Sequence, residues 1–247
     1  MAEPPERGVQ IERVRKAYEQ VADQLRDLIL SGRITPGHRL PNEASLSVQF
    51  GVSRATVREA LRVLTTQNLI RTTKGATGGS FVILPTADHI SDFLSSNIAL
   101  LSQAETVSLD EFLELREFLE VPAARLAASR HTPESLERLQ AAIPGDPGDL
   151  GTQEQFIHNK DFHSQVVLAS ENTLLSIAVQ PIFSVMQTSL SRSQLGQRFH
   201  DQVNADHRAI AAAIAAGDED AAAEEMHRHL GYLRPFYEKT WRTRNGR

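Results

Sequence analysis

Three histidines, His163, His207 and His229, each lie in a helical pattern beside apolar residues at one-turn offsets. These are Val166 and Val167 for the first, Ile210 and Ile214 for the second, and Met226, Leu230 and Leu233 for the third. Such spacing turns all three imidazoles inward, whereas His227, two positions from His229 and about 200° round the helix, points elsewhere. Asn159 lies one turn before His163 and shares its face. Three imidazole nitrogens and one oxygen suit a divalent metal ion, Zn²⁺ or Ni²⁺ above all, and leave coordination positions open for water or a carboxylate. A single inward histidine is more often a hydrogen-bonded core residue than a ligand, so the reading rests on the set. The chain has no cysteine. That excludes thiolate zinc, disulfide frameworks and cysteine nucleophiles, and any metal must be held by imidazole and oxygen.

A second chemistry lies near the N-terminus. Arg54, Arg58 and Arg62 recur at i, i+4 and i+8, beside an apolar stripe of Val57, Ala60, Leu61 and Leu64. One helix can thus bury one side and offer guanidinium groups along another. A guanidinium fork contacts guanine O6 and N7 in the major groove or clamps phosphate oxygens. A solvated, charged helix face is the plainer explanation of such a stripe when nothing surrounds it.

The charge distribution supports a nucleic-acid partner for this part of the chain. The net charge of −5 divides at Pro85 into +4 for residues 1–85 and −9 for residues 86–247. A basic head attracts polyanions by releasing their counterions. With 40% hydrophobic and 23% charged residues in 247, the chain is of ordinary globular composition, enough for two modest domains. No apolar run approaches the roughly 18 residues of a membrane helix, and the opening residues hold no hydrophobic signal core. The expectation is a soluble, cytoplasmic protein without a membrane partner.

The elements that must position these residues follow from periodicity and breakers. Val21, Leu25, Leu28 and Ile29 mark a first helix that stops at Ser31-Gly32. Ile34 to Pro41 holds two prolines and a glycine and reads as an extended, turning connection. A short helix from Glu43 to Phe50 follows, then Gly51 permits a tight turn and Ser53 is a good N-cap for the arginine-bearing helix. Leu69–Thr73 and Ser80–Leu84 are β-rich runs around a glycine-rich turn and read as a hairpin. Three helices and a hairpin make a winged helix-turn-helix. Beyond Pro85 the pattern is all-α, with helices predicted near 87–102, 109–129, 133–142, 153–170, 173–192, 199–216 and 218–240. The predicted fold is mainly α: a winged helix-turn-helix, then an all-α helical bundle. Its divisions are a flexible segment 1–14, a DNA-binding domain 15–85, a linker and connecting helix 86–108, an effector-binding domain 109–240 and a tail 241–247.

The segments Leu40-Pro-Asn-Glu-Ala-Ser-Leu46 and Gly51-Val-Ser-Arg-Ala-Thr-Val-Arg-Glu-Ala-Leu61, with the glycine-rich turn before Phe81-Val82, resemble the GntR family of bacterial transcription regulators. The helical remainder is similar to the FCD ligand-sensing domain of the family's FadR-type branch. That similarity is carried by Glu114–Glu120 with Ala123-Ala124, by Asn159–His163 with Ser170–Asn172, and by Asp206-His207-Arg208 with His229-Leu230.

The resemblance implies specific roles. Arg54 and Arg58 would reach bases, Arg62 would serve a phosphate or a structural purpose, and Ser53 and Thr56 would touch the DNA backbone. Lys74 and Gly75 would form the wing tip at the minor groove. A DNA-reading arginine of the FadR-type pattern stands here as Ala44, so the operator need not follow that pattern. His163, His207, His229 and Asn159 would hold the metal; many FCD domains carry Asp where this chain has Asn159, which removes one negative charge. Arg116 resembles a pocket arginine that holds an effector's carboxylate, and an intrahelical ion pair with Glu120 is the competing role. Double-stranded operator DNA, a small carboxylate effector and a second copy of the chain in a homodimer are the implied partners. Repression relieved by effector is the commonest behaviour in the family. The rival reading, a metal-dependent hydrolase on the three histidines, lacks a base: Asp161 points away from His163, and no H-E-x-x-H motif occurs.

Overall fold

The computed structural model describes residues 15–75, 78–145, 152–189 and 195–244. The chain forms two compact units that meet at Pro85 and Thr86. The predicted flexible segment 1–14 lies outside the described residues.

In the N-terminal unit, α1 (Ala17–Leu30), α2 (Glu43–Phe50) and α3 (Arg54–Thr66) precede a hairpin of β1 (Ile70–Thr73) and β2 (Gly79–Val82). The antiparallel register pairs Ile70 with Val82 and Thr73 with Gly79. One core serves all these elements: Val21 and Leu25 of α1, Leu46 of α2, the Val57, Ala60, Leu61, Leu64 stripe of α3, and Ile70 and Val82 of the strands. The connection before α2 does more than turn. Leu40 donates its N–H to the Ser80 carbonyl, and His38 and Val82 are joined by Val82 N–H to His38 O at 2.9 Å. The segment thereby lines the free edge of β2, which needs hydrogen-bonding partners as any strand edge does.

Local signals set the turn between α2 and α3. Asn42 Oδ1 accepts from Ser45 N at 2.8 Å and caps α2; Ser53 Oγ accepts from Thr56 N at 3.1 Å and caps α3. Between them Gly51 ends α2 at φ 65°, a left-handed conformation that costs a residue with a Cβ. Since a Cβ there would meet no atom within 4 Å, the cost of Gly51→Ala is conformational alone. We expect a loss of about 1 kcal/mol, read in the thermal unfolding of the intact chain.

The C-terminal unit consists of α4 (Ala87–Gln103), α5 (Leu109–Arg130), α6 (Pro133–Ala141), α7 (Thr152–Ala169), α8 (Thr173–Ser189), α9 (Gln197–Ala215) and α10 (Glu219–Arg244). The connecting helix expected within 86–108 is α4, which packs against α8 within this unit. The predicted tail from 241 is a continuation of α10 to Arg244, where Trp241 packs with Phe112 at 6.3 Å between ring centroids. An aromatic side chain that can reach the core extends the helix beyond the last aliphatic period.

Helix directions follow from cross-helix contacts. Glu120 of α5 meets His163 of α7 while Arg130 donates to the Ser170 carbonyl, so α5 and α7 run in the same direction. Pairs Asp110–Arg234, Glu117–His227 and Arg125–Asp220 show that α10 runs antiparallel to α5. Small residues Ala124, Ala127 and Ala128 on α5 let Ile210, Ile214 and Met226 pack close beneath it. The inner faces of α5, α7, α9 and α10 therefore converge on one region.

Candidate functional site

On α3, Arg54, Arg58 and Arg62 are all exposed, and the apolar stripe on the opposite side is buried. Arg62 pairs with Glu59 at 3.3 Å. Arg58 behaves differently: its Nε donates to Glu43 Oε1 at 3.1 Å and its Nη2 to Glu43 Oε2 at 2.7 Å. This two-pronged hydrogen bond from Arg58 holds the Glu43 carboxyl below its ordinary range. Ser53 and Thr56 sit at the head of α3 with their hydroxyls 2.8 Å apart, so the cap residue predicted from sequence also presents a hydroxyl beside the arginines. Lys74 and Gly75 are exposed at the wing, Gly75 with φ 106°. Arg39, which sequence reasoning passed over, braces this wing by donating to the Gly78 carbonyl. A Cβ on Gly78 would come within 2.5 Å of the Thr73 carbonyl oxygen, a backbone atom that cannot give way, which explains the glycine there.

Deep in the C-terminal unit the three histidines come together from α7, α9 and α10. His163, His207 and His229 are 1%, 1% and 0% exposed, and one nitrogen of each lies within 4.8 Å of the others. His163 Nε2 and His229 Nε2 are 3.3 Å apart. Two ligand nitrogens at about 2.05 Å from a tetrahedral Zn²⁺ are separated by roughly 3.3 Å, so this pair already has the spacing of a coordination edge. The remaining nitrogens face carboxylates. His229 Nδ1 lies 3.1 Å from Asp206 Oδ2, and Asp206 in turn accepts from Gln202 Nε2 at 2.7 Å. His163 Nδ1 lies 2.5 Å from Glu120 Oε2, off the line of a well-formed hydrogen bond. Carboxylates behind the imidazoles orient the rings and leave Nε2 for a metal. Phe162 stacks on His207 with ring centroids 3.9 Å apart. Asn159 is buried, and its Oδ1 has no hydrogen-bond partner among the described residues. An uncompensated buried oxygen one turn from His163 is what an added cation would satisfy.

Arg116 joins the same cluster. Of the two roles raised by its sequence position, the ion pair with Glu120 is present, through Nε at 2.5 Å and Nη2 at 3.3 Å, and Nη2 also lies 3.5 Å from His163 Nε2. Its Nη1 donates to Tyr237 Oη at 3.3 Å. Burial works against every charge here. It would raise the Glu120 carboxyl, yet Arg116 and His163 hold it down to about 2. It lowers His163 to about 4 against the opposing pull of Glu120, and it lowers His229 against Asp206. Both imidazoles are therefore neutral near pH 7, the state a metal ligand requires.

The sequence pattern anticipated the three histidines and Asn159 but not this second layer. Glu120 was visible only as the i+4 partner of Arg116, and the roles of Asp206, Gln202 and Tyr237 depend on contacts between helices. His227 stays outside, more than half exposed and 2.6 Å from Glu117. Asp161 is exposed and accepts from Gln165. Glu120, the carboxylate nearest the histidines, is held as an anion by the Arg116 guanidinium and lies against the neutral His163 ring, so it is not free to act as the base of a hydrolytic site.

Comparison with known proteins agrees with both halves. Residues 17–82 match the family described as bacterial regulatory proteins, gntR family, and residues 111–232 match the FCD domain. The HTH-type transcriptional regulator LutR of Bacillus subtilis is 32% identical, with 82% of this chain and 93% of that protein covered. The HTH-type transcriptional repressor NanR of Cronobacter sakazakii is 30% identical, covering 87% and 83%. A GntR structure from Streptococcus agalactiae superposes with a TM-score of 0.53 at 27% identity, covering 88% of this chain and 99% of that one. Among the described residues no helix is long and apolar enough to cross a membrane. These relatives are named as regulators and not as enzymes, which sets aside the three-histidine hydrolase. The chain belongs to the GntR family of bacterial transcription regulators, with a winged helix-turn-helix for DNA and an FCD domain for a small effector.

Proposed function

We propose that this regulator is a cytoplasmic, homodimeric repressor that binds a palindromic operator and releases it when a small carboxylate enters a metal-containing pocket of its helical domain. Arg54 and Arg58 read bases; Ser53 and Thr56 contact the DNA backbone, Arg62 serves a phosphate or a structural purpose, and Lys74 and Gly75 form the wing tip at the minor groove. Residues 15–85 are the reading domain and 109–240 the core of the sensing domain. His163, His207 and His229 with Asn159 hold a divalent ion, Zn²⁺ or Ni²⁺. Such an ion supplies the positive charge that anchors an effector carboxylate. Arg116 supplies the second anchor.

The observation that carries this reading is the approach of the Arg116 guanidinium to within 3.5 Å of His163 Nε2, in a site closed to water. An ion held on His163 would place a second positive centre near the guanidinium, and at low dielectric an anion reaching both would be attracted by each. Entry of the anion favours one arrangement of the dimer over another, and differential affinity for the two arrangements is what shifts DNA binding. NanR, a relative, is named as a repressor, which supports that direction of control.

Two measurements test the proposal. Arg54→Ala or Arg58→Ala is expected to weaken binding to a selected operator duplex by about 1–3 kcal/mol each, measured by fluorescence anisotropy; unchanged affinity in both rejects the base-reading role. Asn159→Asp is expected to tighten Zn²⁺ binding on the order of tenfold, because it restores a charged oxygen ligand. Competition titration with a chromophoric chelator measures it. Equal affinity would remove Asn159 from the ligand set.

A further inference from the structure

Arg58 is one of the two arginines placed for base contact, and yet one edge of its guanidinium is fully engaged by Glu43 of the preceding helix. The pair joins the first turn of α2 to the second turn of α3, fifteen residues apart in sequence. Arg58 remains 56% exposed, so the bond does not serve to bury it. Nε and one hydrogen of Nη2 point to the carboxylate, which leaves Nη1 and the other face of Nη2 directed outward in a fixed plane.

We propose that Glu43 is a specificity-determining positioning residue: it holds Arg58 so that one guanidinium edge meets a single guanine, and it cancels the charge that would otherwise bind any phosphate within reach. The inference rests on the base-reading role of Arg58. An unrestrained arginine samples many rotamers and pairs readily with phosphate. When it is tethered in plane, less freedom is lost on forming a two-point contact with O6 and N7, and the wrong base leaves a desolvated pair without compensation. The same tether lowers the number of phosphates that the free cation can neutralise, and so lowers non-specific affinity. Glu43 itself is held in register by the Asn42 cap on α2. Among the described residues Arg54 makes no hydrogen bond to a carboxylate, and the tether belongs to Arg58 alone.

The test uses the full-length protein, a randomised duplex library that is selected and sequenced, and salt titrations on mixed-sequence genomic DNA. For Glu43→Gln we expect the preference at one base pair of each half-site to fall about tenfold or more, with the other positions unchanged. The salt slope on non-specific DNA should steepen by about 1 as one more cation becomes available to phosphate. Arg58→Ala should flatten the same base pair, and the double variant should add nothing further. If Arg58→Ala alone flattens that position while Glu43→Gln leaves both the preference and the slope unchanged, the positioning role is overturned and base reading stands. If Arg58→Ala leaves every position unchanged, base reading fails and the inference falls with it. A uniform loss at all positions in Glu43→Gln, with a lowered melting temperature and no change of slope, would assign Glu43 a merely structural role and overturn the proposal.

Discussion

Glu120→Ala is expected to destabilise the C-terminal unit by about 3–5 kcal/mol, the cost of leaving a buried charge without its partner. Glu120 lies between Arg116 and His163 with no exposed surface, and its carboxylate compensates the Arg116 guanidinium directly. After truncation Arg116 keeps the neutral Tyr237 hydroxyl at 3.3 Å, the neutral His163 ring at 3.5 Å and the faces of Phe183 and Tyr237. None of these supplies a counter-charge. The melting midpoint of the metal-free protein should fall by about 10 °C, as read by circular dichroism. Glu120→Gln retains volume and one acceptor, and should lose less than the alanine variant. A change below about 1 kcal/mol for Glu120→Ala would show that Arg116 finds another anion or water when Glu120 is absent, and that the network is not what holds these helices together.

His229→Ala should lower Zn²⁺ affinity by about 100-fold or more, a loss larger than that from removing an outer-shell carboxylate. His229 is fully buried, its Nε2 lies at coordination spacing from His163, and its Nδ1 is oriented by Asp206. In the wild type, metal at about 100 times its dissociation constant should add about 2.7 kcal/mol of stability. The variant should lose that metal-dependent gain while the metal-free protein remains folded, since it gives up a neutral ring and not a charge. Asp206→Asn, which leaves the ring in place but weakens its orientation, should lower affinity by about 10- to 100-fold. Metal content after dialysis and thermal shift with and without Zn²⁺ measure both. Equal metal-dependent shifts in the wild type and His229→Ala would place the metal elsewhere or nowhere in this domain.

These two variants differ in what reveals them. Loss at Glu120 appears in the metal-free protein, because the charge it compensates belongs to the chain. Loss at His229 should appear when metal is added, because the ring is neutral in the metal-free protein and leaves no buried charge uncompensated.

Much of this was legible in one dimension. The winged head could be read from Asn42, Gly51 and Ser53, whose side chains or backbone freedom start and stop helices with little help from distant residues. The opposite faces of α3 followed from a 3.6-residue period, which assigns Val57 to the core and Arg58 to solvent without further information. The same period turned His163, His207 and His229 inward, and all three are buried. Periodicity fixes a face and nothing more. It cannot say that Glu43 reaches across to Arg58, that His163 and His229 meet at 3.3 Å, or that Glu120 stands between Arg116 and His163. Nor could it foresee that residues 37–40 would close the edge of β2, or that Trp241 would draw α10 past its predicted end. Each of these depends on the distance between side chains on different elements, and that distance is set by how helices of particular residue size settle against one another, a many-body packing outcome with no signature in local spacing.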